Sequence, residues 1–120
     1  MSESSEQLAR FTPLCDAEDL WAGEMREFKI GNRAVLVIKL DGGEIVALQG
    51  TCPHQRIPLA EGALDGTVLT CRAHLWQFDV TSGKGINPTG CRLARYPVQI
   101  DGGVVSVAIK GVTESARLLG

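Results

Sequence analysis

Two short clusters in this chain carry side chains with the donors of a metal centre: Cys52-Pro53-His54 and, after sixteen intervening residues, Cys71-Arg72-Ala73-His74. Each offers one thiol and one imidazole. A set of two sulfurs and two ring nitrogens suits zinc or an iron–sulfur centre and suits calcium or magnesium poorly, because those harder cations take oxygen ligands. Both histidines of the chain lie in these clusters, so any imidazole chemistry belongs here.

The elements that must position the clusters are strands. Runs rich in Val, Ile, Leu and Phe from Glu24 to Ile30 and from Arg33 to Leu40 are bounded by Gly31-Asn32 and Asp41-Gly42-Gly43, which is turn chemistry. A third strand, Glu44 to Gln49, delivers the chain into Gly50-Thr51-Cys52, so the first cluster begins where a strand ends. The second is placed the same way: Asp65-Gly66 turns the chain, and the short β-branched run Thr67 to Thr70 ends at Cys71. Beyond it Trp76, Phe78 and Val80 alternate with polar residues, the period of a half-buried strand, and Gly83-Lys84-Gly85 turns it. Tyr96, Val98 and Ile100, then Asp101-Gly102, then Val105, Val107 and Ile109 predict a hairpin with a type I′ turn, with Pro97 at an edge or bulge. Upstream, Arg10 to Cys15 reads as a short edge strand broken by Pro13, and Asp16 as the N-cap of a single helical turn whose Trp21 packs on the core. The expectation is an antiparallel all-β domain of nine or ten short strands with two ligand-bearing loops.

Composition bounds what such a domain does. At 120 residues the chain is one domain, large enough to bury a core without a metal serving merely as a staple. A net charge of −2 with interspersed acidic and basic residues leaves no footprint for nucleic acid or an anionic membrane. The polar N-terminus has no signal-like apolar run, and no stretch approaches the ~18 apolar residues of a membrane span. A cytoplasmic monomer is expected, its four cysteines thiols or ligands rather than disulfides. Residues 1–9 are expected to be disordered, 10–110 to form the domain, and 111–120 a tail.

Two centres remain open on the residues alone. Tetrahedral zinc is one, although a Cys-X-His pair is unusual among zinc sites. The other is a [2Fe–2S] centre in which one iron takes two cysteines and the other two histidines. The second resembles the Rieske family, whose signature Cys-X-His, 15 to 17 residues, Cys-X2-His is met by Cys52, His54, Cys71 and His74. Cys71-Arg72-Ala73-His74-Leu75-Trp76, Gly85-Ile86-Asn87-Pro88 and Leu93-Ala94-Arg95-Tyr96-Pro97-Val98 are similar to the Rieske ferredoxins of toluene monooxygenase-type diiron systems. The similarity runs from about Leu20 to Ile109.

That resemblance implies a Rieske fold, a sandwich-like or barrel-like β base with a small cluster-binding subdomain over about 50–90. It implies one [2Fe–2S] cluster, with Cys52 and Cys71 on the inner iron and His54 and His74 on the outer iron. The implied role is a one-electron carrier between an NAD(P)H-dependent flavoprotein reductase and the diiron hydroxylase of an aromatic or alkene monooxygenase. The ferredoxin of a ring-hydroxylating dioxygenase is the alternative within that class. Outside it stand a zinc-stabilised binding module and a small subunit of a larger reductase. No further histidines are present for a mononuclear iron and no Gly-X-Gly-X2-Gly fingerprint for a dinucleotide, so the chain is expected not to be an enzyme.

Respiratory Rieske proteins carry an extra cysteine in each loop, where this chain has Ile57 and Ala73, and a hydroxyl after the second histidine, where it has Leu75 and Trp76. Fewer hydrogen bonds to cluster sulfurs predict a potential low in the Rieske range of about −150 to +300 mV, below about 0 mV. Pro53, Gln55 and Trp76 are candidate docking or shielding residues, and Pro88 is the candidate for a loop that covers the cluster. Trp76 reads equally as core. Cys15 and Cys91 have no partner motif and read as small, partly buried thiols, and Tyr96 as core.

Overall fold

The structure is a computed structural model, and residues 11–53, 57–73 and 75–114 are described. The expected disordered N-terminus, most of the tail, and His54, Gln55 and His74 lie outside them. Among the described residues there are eleven strands, more than the nine or ten expected: β1 (Thr12–Asp16), β2 (Met25–Ile30), β3 (Arg33–Lys39), β4 (Ile45–Gln49), β5 (Ala63–Asp65), β6 (Val68–Thr70), β7 (Gln77–Asp79), β8 (Gly85–Asn87), β9 (Arg95–Tyr96), β10 (Val98–Asp101) and β11 (Val104–Val107). They form three antiparallel sheets, ordered β1-β11-β10, β2-β3-β4-β9 and β5-β6-β7-β8.

The middle sheet explains the apolar run Val35-Leu36-Val37-Ile38. Successive strand residues face opposite sides, and both sides of this strand are buried. Val35, Val37 and Ala47 share one core with Leu20, Tyr96, Val105 and Val107. Leu36, Ile38, Val46 and Leu48 face the other way, into a second core with Leu59, Leu69, Phe78, Val80 and Leu93. Cys52 and Cys71 belong to that second core. The candidate metal loops therefore rest on the face of the central sheet opposite to the one packed on β11.

Three hairpin turns fall at the glycines expected, the second and third one residue later than expected because Asp65 and Asp101 stay paired in their strands. Ile30 pairs with Arg33 across Gly31-Asn32, and Asp65 with Val68 across Gly66-Thr67; a positive φ at the first loop residue, +60° and +61°, makes both type II′. Asp101 pairs with Val104, so the last hairpin turns on Gly102-Gly103, whose two positive φ values fit the expected type I′ geometry. Asp16 precedes a 3₁₀ turn, Ala17–Asp19, in extended conformation but makes no side-chain capping bond.

Two further expectations need correction. Trp21 is 78 % exposed; Leu20, one residue earlier, enters the core at 2 %. A one-residue change of phase at the end of a turn sends the neighbouring side chain outward. The single strand expected from Tyr96 to Ile100 is two: Pro97, which has no N–H to donate, separates β9 in the central sheet from β10 in the β1-β11-β10 sheet. Tyr96 is buried as expected, whereas Ile100 is 51 % exposed.

Candidate metal centre

Each cysteine starts a loop that closes on itself in the same way. The Cys52 N–H donates to the Ile57 carbonyl at 3.0 Å, and the Cys71 N–H to the Trp76 carbonyl at 2.8 Å. In both cases the donor and acceptor residues are five positions apart, enclosing residues 53–56 and 72–75. The first loop is held at its base: Gly50 N–H donates to the Ala34 carbonyl, Leu59 N–H donates to the Gly50 carbonyl, each at 2.8 Å, and Thr51 bridges Pro58. The second leaves β6, which pairs with β7 through Leu69 and Phe78, both fully buried.

Cys52 and Cys71 are 2 % and 0 % exposed, and their thiols are hydrogen-bonding neighbours. Burial pushes the Cys71 thiol above its ordinary range. The Ala73 N–H, bonding to its sulfur, pulls the other way; the Cys52 thiol raises it further and the Arg72 guanidinium lowers it. Two buried sulfurs from two loops, one already receiving a backbone N–H, are a donor pair that a cation would ionise and bind. The pair fits the sulfur side of a centre that takes one cysteine from each loop. The four cysteines are free, so no disulfide competes for them.

The other sequence-predicted residues fall at different distances from this pair. Trp76 and Ala73 are half-buried against the core that contains both cysteines, as is Ile57. Pro53 is half-buried beside Cys52, while Pro88 stands exposed at the end of β8, its carbonyl accepting from the Cys91 thiol at 3.3 Å. Cys15 and Cys91 are half-buried, and burial raises both thiols. His54, His74 and Gln55 lie outside the described residues.

Several contributors escaped sequence reasoning. An ion pair at 2.7 Å, Arg72 Nε to Glu61 Oε1, joins the second loop to the 3₁₀ turn Leu59–Glu61 that follows the first. Gly62 ends that turn against the Thr70 carbonyl so closely that a Cβ would lie 2.2 Å from the oxygen. Leu75 is the one non-glycine residue at positive φ, +57°, among the described residues, and it is 65 % exposed. The Asp-Gly and Gly-Asn turns are visible as composition; none of these three features is.

The family model for the Rieske [2Fe-2S] domain matches residues 10–97. The chain belongs to the Rieske [2Fe–2S] family. It is 44 % identical over 99 residues to the ferredoxin component of the alkene monooxygenase system of Xanthobacter autotrophicus, covering 81 % of this chain and 80 % of that protein. It is 37 % identical over 101 residues to the ferredoxin component of biphenyl 2,3-dioxygenase of Rhodococcus jostii, covering 83 % and 94 %. Among solved structures, a chain from a complex of reduced oxygenase and oxidised ferredoxin in carbazole 1,9a-dioxygenase superposes with a TM-score of 0.76 at 31 % identity, over 82 % of this chain and 93 % of that one.

Its cofactor is one Rieske [2Fe–2S] cluster, which removes the zinc module, and it is an electron-carrying ferredoxin of oxygenase systems, not itself an enzyme. Ferredoxins of this kind pair with an oxygenase, as the carbazole dioxygenase complex does. Among the described residues no helix is long and apolar enough to cross a membrane.

Proposed function

We propose that this chain is the ferredoxin of a soluble diiron monooxygenase system, carrying electrons from an NAD(P)H-dependent flavoprotein reductase to a hydroxylase that oxidises aromatic hydrocarbons or alkenes. The observation that carries the partner assignment is the 44 % identity to an alkene monooxygenase ferredoxin. The reading places the protein in the cytoplasm as a monomer, with the cluster-binding subdomain over about 50–90 and the base contributed by the rest of 10–110.

Cys52 and Cys71 are assigned to the inner iron and His54 and His74 to the outer iron, as the motif implies; the buried, facing thiols of Cys52 and Cys71 support the sulfur half of that assignment. When bound, the cluster takes up and releases one electron. The chain supplies rigidity and field. Cysteines fixed in a packed core limit how far the ligands move when the charge changes, and the Ala73 N–H aimed at the Cys71 sulfur favours negative charge there. Docking through the loop face, with Pro53, Gln55 and Trp76 around it and Pro88 covering one side, is expected to be small and transient, below about 1,200 Å².

The runner-up, a carrier for a ring-hydroxylating dioxygenase, draws on the 37 % identity to the biphenyl dioxygenase ferredoxin. Reconstitution separates the two. The purified chain, with a suitable reductase, is mixed with the hydroxylase of an alkene monooxygenase or the terminal component of a biphenyl dioxygenase, and turnover with the former is expected. Turnover with the dioxygenase alone transfers the assignment to the runner-up. Two irons and two sulfides per chain, lost in Cys71→Ser and His74→Ala, and a midpoint below about 0 mV test the ligand set and the low-potential expectation.

A further inference from the structure

Among the described residues Gln49 is the one buried polar side chain, 1 % exposed in an otherwise apolar interior. It sits where the chain leaves the central sheet for the first cysteine loop, at the end of β4. Beside it the chain returns, at Leu93-Ala94, on its way into β9. Its backbone N–H donates to the Ala94 carbonyl at 2.9 Å, and its side-chain Oε1 accepts from the Ala94 N–H at 2.8 Å. The other half of the amide, Nε2, donates to the Thr51 carbonyl at 2.8 Å.

The Thr51 carbonyl belongs to the peptide that ends in the Cys52 nitrogen. That same peptide's N–H donates to the Ile57 carbonyl at 3.0 Å. Its plane is thus held at the oxygen by Gln49 and at the nitrogen by the loop closure. A peptide gripped at both ends has little freedom to rotate, and its rotation is what would swing the Cys52 Cα–Cβ bond. Only an amide of this length presents an acceptor to Ala94 and a donor to Thr51 at once: methionine matches the length and supplies neither.

We propose that Gln49 is a positioning residue for the [2Fe–2S] cluster: it fixes the Thr51–Cys52 peptide, and with it the direction of the Cys52 sulfur, against the returning strand at Ala94. The proposal rests on Cys52 being a cluster ligand, as assigned above. It explains why a polar side chain is tolerated in the core, since burial of an amide is acceptable where its donor and acceptor are both used.

The test uses the cluster-loaded protein and two variants, Gln49→Met and, as a control for general destabilisation, Val107→Ala, which opens a cavity in the core on the other face of the central sheet. Hydrogen–deuterium exchange is followed by mass spectrometry, and the electron paramagnetic resonance spectrum of the reduced cluster is recorded. Loss of the buried hydrogen bonds to Ala94 and Thr51 in Gln49→Met is expected to speed exchange over residues 50–57 by about tenfold and to shift the g-values. Val107→Ala is expected to lower the melting temperature while leaving both unchanged.

Exchange over 50–57 equal to wild type, exchange raised as much by Val107→Ala, or faster exchange with unaltered g-values each overturns the proposal. Should Gln49→Met not accumulate as folded protein, Gln49→Asn, which keeps the amide but falls one methylene short, is read against the same control. A wild-type protein lacking a Rieske spectrum would overturn the ligand assignment instead, and the exchange measurement on residues 50–57 would still report whether Gln49 holds the loop.

Discussion

Replacing Gly62 by alanine tests the contact that sets the two cysteine loops against each other. Gly62 has φ −85° and ψ −161°, a conformation open to any residue, so the substitution carries no left-handed backbone penalty and its effect is steric. The added Cβ would lie 2.2 Å from the Thr70 oxygen, 3.2 Å from the Thr70 carbonyl carbon and 3.3 Å from the Leu59 oxygen. Restoring ordinary contact with that oxygen takes a movement of about 1 Å, and all three neighbours are backbone atoms that no rotamer change can withdraw. Overpacking of this kind costs about 1–3 kcal/mol, or roughly 4–24 °C in melting temperature for a domain near 100 residues. Thr70 immediately precedes Cys71, so the displacement is delivered to a candidate ligand, and a broadened or shifted cluster spectrum should accompany the loss. Gly66→Ala is the companion: φ there is +61° with nothing within 4 Å of the new atom, so its cost is the backbone strain of a side chain at the first position of a type II′ turn, about 1–3 kcal/mol, with the spectrum intact. Melting curves and visible spectra of the cluster-loaded variants decide it. A Gly62→Ala protein with wild-type stability and spectrum, or a Gly66→Ala protein whose spectrum is altered as much, would refute the reasoning.

Leu75→Gly should stabilise the fold slightly, by about 0.5–1 kcal/mol, because relief of the left-handed leucine outweighs the added chain entropy and the side chain is mostly exposed; a lower urea midpoint would contradict this. Arg72→Ala removes an exposed ion pair and should cost no more than about 0.5 kcal/mol, so a loss above about 2 kcal/mol in urea titration would mean that the Glu61 contact fixes the loops more firmly than its exposure implies. Tyr96, the only tyrosine, is buried and its hydroxyl donates to Glu114 Oε2; burial first, then that carboxylate, push its pKa well above the ordinary value of 10.0. The folded state then holds the proton where the unfolded chain releases it, so this contribution is complete below about pH 10 and is lost as pH rises from there. Phenolate absorbance should appear only as the fold opens, and Tyr96→Phe should flatten the alkaline decline in stability; early ionisation in the folded protein would rule it out.

The elements were legible because their signals are local. Period-two alternation from Trp76 to Val80, the glycine turns, and the arrival of Cys52 and Cys71 at strand ends all depend on residues a few positions apart, and each has its place in the fold. Trp21 and Pro97 mark where local reading stops. Leu20 and Trp21 are adjacent and both apolar, so only the exit direction of the 3₁₀ turn decides which is buried, and the turn is tied to residues far along the chain, by the Ala17 N–H to the Gly103 carbonyl and by the Lys39 ammonium to the Leu20 carbonyl. The alternation of Tyr96, Val98 and Ile100 is genuine as a pattern, but it crosses between two sheets at Pro97, and the phase that buries Tyr96 leaves Ile100 in solvent.

The same boundary divides the candidate centre. The motif names its own donors, since a thiol or an imidazole has few other reasons to recur at that spacing, and the strands on either side say where the loops begin. What aims the loops is carried by residues that are chemically ordinary. Gln49 is a glutamine at a strand end until Ala94, forty-five residues on, places an N–H before it; Gly62 is a turn glycine until Thr70 presents its carbonyl. Their roles exist only in the pairing, and the pairing is set by how the middle sheet buries both of its faces. A substitution at Gln49 or Gly62 should therefore disturb the cluster more than one of equal thermal cost in the distant core, even though neither residue belongs to the motif.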